Sequence, residues 1–219
     1  MQEKILKFKN IVKQNFSRKD FIYHEWMVKY HLEIVERIAI ELCDIYKEAD
    51  RDIVEVLVYF HDFGKPFNEI KSSFDRKNEE EITLQEGPKV LFECGFEQEF
   101  IDKVVKYWQL MEKKNEIDLR TAPIETQIIS SADGASHLVG MFYSSYFGDG
   151  DDLSTTQSNL RIKMEQDWNR KIVLPEAKKA FQGRYERALE LLGEFPDKFL
   201  NSNVDHRELL EIKNKLRKI

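Results

Sequence analysis

The chain has 219 residues, 42% hydrophobic and 34% charged. That is too apolar for a disordered polypeptide and suits one large domain, or a domain with an appendage. Nine Gly and five Pro are few for a turn-rich β fold, so the composition points to helices. The net charge of −6 argues against nucleic acid as the main partner, because binders of its backbone carry a basic surplus; it sets no bar to a small phosphorylated substrate. The only two cysteines, Cys43 and Cys94, fall in apolar helical patterns and read as buried free thiols. No stretch reads as a signal peptide or is long enough to span a membrane, so no membrane association and a cytoplasmic location are expected.

The periodicity is helical almost throughout. Ile5, Phe8, Val12 and Phe16 predict a first helix over residues 4–16. Ser17 and Asp20 resemble a capping box opening a long second helix to about Lys47, with an inward stripe of His31, Val35, Ile38, Leu42 and Ile45. A third helix should start near Asp50 or Asp52 and carry Ile53, Leu57, Phe60 and His61 until Gly64, in a left-handed cap, and Pro66 stop it. Residues 67–78 read as loop. A helix over 79–94 should kink or restart at Pro88 and end at Gly95; another covers 97–111. Pro123, at a first helical position, opens a helix expected to reach about Tyr146. Residues 148–158 read as a flexible loop, followed by helices near 156–172, 175–192 and 205–218. This gives an all-α reading: a helical domain over 1–150 and a helical extension, 151–219, packed on the same domain.

The five histidines are few enough for their positions to matter. His61 and Asp62 are adjacent at a helix end. Neighbouring helical residues point about 100° apart, so both can reach one ion only beyond that end. His31 lies on an apolar stripe, where a hydrogen-bonded core histidine is the commoner outcome. Asp133 sits among Ile128, Ile129, Ser131, Ala132, Gly134 and Ser136. A carboxylate buried there needs a cation or several donors; exposure on the outer face is the other reading.

Three pieces, Tyr30-His31-Leu32-Glu33, Phe60-His61-Asp62-Phe63-Gly64-Lys65 and Ser131-Ala132-Asp133-Gly134, together resemble the HD superfamily of metal-dependent phosphohydrolases. The resemblance covers roughly residues 20–145. It implies an HD-domain helical bundle holding a divalent metal on His31, His61, Asp62 and Asp133. Two imidazoles and two carboxylates suit Mn²⁺, Fe²⁺, Co²⁺, Ni²⁺ or Zn²⁺ better than Mg²⁺. Members with two metals carry further histidines before the last Asp; none stands between Asp62 and Asp133, which favours one ion. The implied activity is hydrolysis of a phosphoester of a nucleotide or similar small substrate by a metal-activated water, with Asp62 or Asp133 orienting that water. The alternative is a regulatory module that binds a metal or nucleotide without turnover.

Other residues carry competing readings. Lys65 could neutralise a substrate phosphate or simply favour a helix C-terminus. Arg18 and Lys19 read as solvated. His24 lies two helical turns, about 10 Å, before His31 and reads as a rim or core residue. His137 reads as packed, with a place beside the ligands or facing substrate as the other reading, and His206 as exposed. Asp149-Gly150-Asp151-Asp152 lacks the pattern of a calcium loop. Trp26, Tyr107, Trp108 and Tyr146 could wall a pocket for a flat group. The charged C-terminal tail could pair chains into a homo-oligomer.

Overall fold

A computed structural model describes residues 1–21, 23–24, 26–67, 76–139, 142–143 and 153–192. Among the described residues there are helices and turns and no strand, and no helix is long and apolar enough to cross a membrane. Helix α1 (Gln2–Phe16) buries the expected stripe of Ile5, Phe8, Val12 and Phe16. A π-helical turn (Val28–Leu32) leads into α2 (Glu33–Ile45). Then come α3 (Arg51–Phe60), a 3-10 turn (Lys65–Phe67), α4 (Arg76–Glu93) and α5 (Gln98–Glu112). A 3-10 turn (Leu119–Thr121) precedes α6 (Ile124–Ser136). The chain continues through α7 (Leu153–Gln166), a second π-helical turn (Asp167–Lys171) and α8 (Pro175–Leu191).

The centre of the bundle is α3. Its apolar residues run all round the helix, so it must be enclosed on every side. Residues Val54, Val56, Leu57, Val58 and Phe60 are fully buried, and α1, α2, α5 and α6 surround the helix. Asp50 caps it by accepting from the amides of Asp52 and Ile53, two of the donors a helix start leaves unpaired. Residues Ile172, Leu174 and Ala177 join the main core, and α7 and α8 enclose a smaller cluster of Leu160, Met164 and Leu192.

Several expected boundaries move. The long helix from Ser17 does not form: the described residues of 17–26 run through turns and a bend, and helical winding begins at Met27. The Ser17 hydroxyl donates backwards to the Lys13 carbonyl, and Arg18 binds the Asp20 carboxylate that was to support the new helix. The rings of Phe16, Phe21, Tyr23 and Trp26 meet edge-on instead. On the predicted stripe His31, Val35 and Leu42 are buried, Ile38 is half-buried and Ile45 is exposed.

Gly64 does not take the left-handed conformation; among the described residues only Gly95 does. What Gly64 supplies is space, because a Cβ there would lie 2.2 Å from the Glu79 carbonyl oxygen. Helix α4 runs through Pro88 without a fresh start. Helix α6 ends at Ser136, ten residues early. The Ser136 hydroxyl bonds back to the Asp133 carbonyl, and the next amides close three-residue turns onto Ala135 and Ser136. Pro123 is its cap, one position earlier than expected. Residues 153–155, expected as loop, belong to α7, where Thr156 and Leu160 are buried at a four-residue step. Residues 76–78, expected as loop, are the start of α4, whereas residues 68–75 of that expected loop, Gly140, Tyr146, the 149–152 acidic stretch, His206 and the helix expected over 205–218 lie outside the described residues.

Candidate metal centre

Three separate pieces of chain deliver His31, His61, Asp62 and Asp133 to one point. His31 comes from the first π turn, whose wider winding is often found where a side chain is aimed at a site. His61 and Asp62 follow the last residue of α3, and Asp133 lies on α6. All four are buried. The Nε2 atoms of His31 and His61 are 3.3 Å apart. Asp62 Oδ2 lies 3.1 Å from His31 Nε2 and 3.4 Å from His61 Nε2. Asp133 Oδ1 closes the set at 3.8 and 3.9 Å from the same two nitrogens.

The hydrogen bonds behind the rings fix where their protons are. His61 Nδ1 is 2.7 Å from the Val58 carbonyl, which can only accept. The Ser136 hydroxyl spends its proton on the Asp133 carbonyl, so it accepts from His31 Nδ1 at 3.1 Å. In its neutral form each ring then offers a lone pair on Nε2. Burial pushes His31 down to about 4, against the pull of Asp62 and Asp133, so near neutral pH no second proton fills the gap. Burial alone would raise Asp62, but His61, Lys65 and His31 hold it well below the usual carboxylate range. Asp133 is likewise held low against burial, by Lys171, His137 and His61. Two imidazole nitrogens and two carboxylates thus converge in a space removed from solvent. A buried group of His31, His61 and Asp133 could hold a metal ion, with the ligand atoms all within 4.8 Å of one another, and the Asp62 oxygen sits beside it. This nitrogen and oxygen set fits a divalent transition metal.

Lysines stand behind both carboxylates. Lys65 Nζ is 2.6 Å from Asp62 Oδ2, and Lys171 Nζ is 2.6 Å from Asp133 Oδ2. His137 spans two acids, with Nε2 3.2 Å from Asp133 Oδ1 and Nδ1 2.8 Å from Asp167 Oδ2. Asp167 also takes the Lys163 ammonium at 2.6 Å and the Tyr143 hydroxyl at 3.0 Å. These groups open on a cleft of about 640 Å³, counting space continuous with solvent. Its walls include His61, Asp62, Lys65, Asp133, Lys163 and Lys171.

Lys65 thus reaches both the site and the cleft. Of the aromatic wall, Trp108 lines the cleft and donates from Nε1 to the His61 carbonyl, whereas Trp26 and Tyr107 are not among its lining residues. Arg18 and Lys19 are exposed, and His24 is half-buried with Nδ1 on the Phe21 carbonyl. His137, expected to pack, does so against the Phe142 ring while touching Asp133. The reading of the residues missed Ser136, Lys163, Asp167 and Lys171. The four-residue steps from Lys163 to Asp167 to Lys171 are visible, but such alternation ordinarily marks a solvated helix face.

No curated protein and no solved structure gives a significant match to the chain. Residues 28–136 match the family model of the HD domain, a stretch that begins on the turn carrying His31 and ends three residues after Asp133. The chain belongs to the HD-domain superfamily.

Proposed function

We propose that the protein is a metal-dependent phosphohydrolase that holds one divalent ion on His31, His61, Asp62 and Asp133 and hydrolyses a phosphoester of a nucleotide or similar small phosphorylated substrate. The observation that carries this reading is the buried convergence of two imidazole Nε2 atoms and two carboxylates on one point. When bound, such an ion supplies a water that ionises near neutral pH and an electrophile for a phosphoryl oxygen.

The chain's own residues do the rest. His31 and His61 are locked in the tautomer that offers Nε2. Asp62, whose Oδ2 faces the two rings and the Lys65 ammonium, or Asp133 would orient the attacking water with the carboxylate oxygen left free of the ion. Lys65, a quarter exposed on the cleft, is placed to meet the substrate phosphate. Burial and Trp108 exclude solvent from the His61 side.

The test is phosphate release from a panel of nucleoside mono- and triphosphates and generic phosphoesters, after chelation and after adding back Mn²⁺, Co²⁺, Ni²⁺ or Mg²⁺. Release restored by metal and lost in Asp62→Ala is expected. Retention of metal and of bound nucleotide with no release from any ester would instead favour the non-catalytic binding module. Unchanged metal content and activity in Asp62→Ala would remove Asp62 from the site.

A further inference from the structure

Two stripes of charge interlock beside the metal centre. Asp133 on α6 and His137, the residue that caps its end, stand four residues apart. Lys163, Asp167 and Lys171 stand four apart on α7 and the π turn that extends it. Lys171 meets Asp133, and Asp167 meets both His137 and Lys163. The two segments are fastened together. The Ser130 hydroxyl donates to the Lys171 carbonyl at 3.0 Å, and the Ser131 hydroxyl accepts from the amides of Val173 and Leu174 at 3.0 and 3.1 Å. A Cβ on Gly134 would lie 2.9 Å from both Lys171 Cβ and Ile172 Cγ1.

Packing alone does not call for this arrangement. The Lys171 side chain is 10% exposed and that of Lys163 17%, and an apolar pair would fill the same volume without desolvating charge. Both lysines line the cleft onto which the metal site opens, and the acids of that cleft outside the centre, Glu79, Glu80 and Glu112, come from α4 and α5. On the side of α7 and its π turn the cleft is lined by two lysines, each paired with a buried acid, Lys163 with Asp167 and Lys171 with Asp133.

We infer that Lys163 and Lys171 hold the phosphoryl group of the substrate, so that the helical segment following the HD match forms the anion-binding wall of the active site. This rests on the reading of the centre as a phosphohydrolase. Burial, followed by the nearby Lys171 charge, pushes Lys163 down to about 8, against the pull of Asp167.

Inorganic phosphate is titrated calorimetrically into the Mn²⁺-loaded full chain, with Mn²⁺ content measured on each sample, for the wild type and for Lys163→Gln and Lys171→Gln. Each variant is expected to keep its metal and bind phosphate at least about tenfold more weakly, the scale of one charge-assisted hydrogen bond. In the wild type, phosphate should also shield both lysines from amine acylation, read by mass spectrometry, which needs no variant to fold. Equal phosphate affinity in the metal-loaded variants, absence of shielding, or loss of Mn²⁺ from either variant overturns the inference. So does a wild type that binds no phosphate. Lysine-dependent phosphate binding without release from any ester would support this wall while removing the hydrolytic reading.

Discussion

The two histidines of the centre are held by unlike anchors. His61 leans on a main-chain carbonyl, which substitution cannot remove, whereas His31 depends on the hydroxyl of Ser136. Partners behind metal ligands set tautomer and ring orientation, and their loss typically weakens metal binding by about 10- to 100-fold. Ser136→Ala should therefore weaken Mn²⁺ binding within that range in a titration, with the fold retained by circular dichroism. Unchanged affinity would mean that the position of the His31 ring, and not the serine, sets its tautomer. The sequence offered no signal for this role, because a serine at a helix end has many common uses. Lys171 was illegible for a related reason: its partner Asp133 lies 38 residues away, and nothing local tells a buried ion pair from a solvated one.

At the scale of elements, apolar periodicity carried most of the reading. The stripes of α1 and α3 and the starts of α5 and α8 could be read directly, since burial of one face fixes spacing. The errors fall where a side chain chose between two local hydrogen bonds. Ser17 and Ser136 each bond backwards, which removes the expected start of one helix and closes another early. Gly64 was legible as a necessary glycine but for the wrong reason. Its role is the close crossing of the post-α3 turn over α4, where its amide also donates to the Thr83 hydroxyl. Gly64→Ala should accordingly cost roughly 1–3 kcal/mol through overpacking, read as a lower urea midpoint at unchanged slope. A null effect would mean α4 can withdraw freely from that turn. The HD motif itself was legible because its residues are few and sit where a helix end or a small-residue stripe gives them a reason.

For the whole molecule, the buried charges tie stability to pH. His31 is lowered to about 4, so between about 6.5 and 4 the unfolded chain binds a proton that the folded one refuses, and stability falls as pH falls. Asp62, Asp133 and Asp167 are held below the ordinary carboxylate range. Their stabilising contribution is complete above about 4 and disappears as pH drops further. The metal-free protein should thus lose urea resistance in two stages, a shallow one from about pH 6.5 and a steeper one below about 4. A midpoint flat from pH 7 to 5 would contradict the placement of His31. Added Mn²⁺ should raise the midpoint at neutral pH, because an ion bound only by the folded chain stabilises it by mass action.

The two π-helical turns have a consequence for how this chain can change over generations. Each is a wider winding than the α-helix it adjoins, one presenting His31 and the other Asp167 and Lys171. Removing one residue from such a turn would return it to ordinary α winding and re-aim the side chains the turn itself carries. That would swing an imidazole or an ammonium out of the cleft while leaving every apolar stripe intact in composition. Drift at these two places is therefore confined to exchanges of one amino acid for another, and a lineage that shortened either turn would keep a helical bundle while dispersing the groups gathered at its centre.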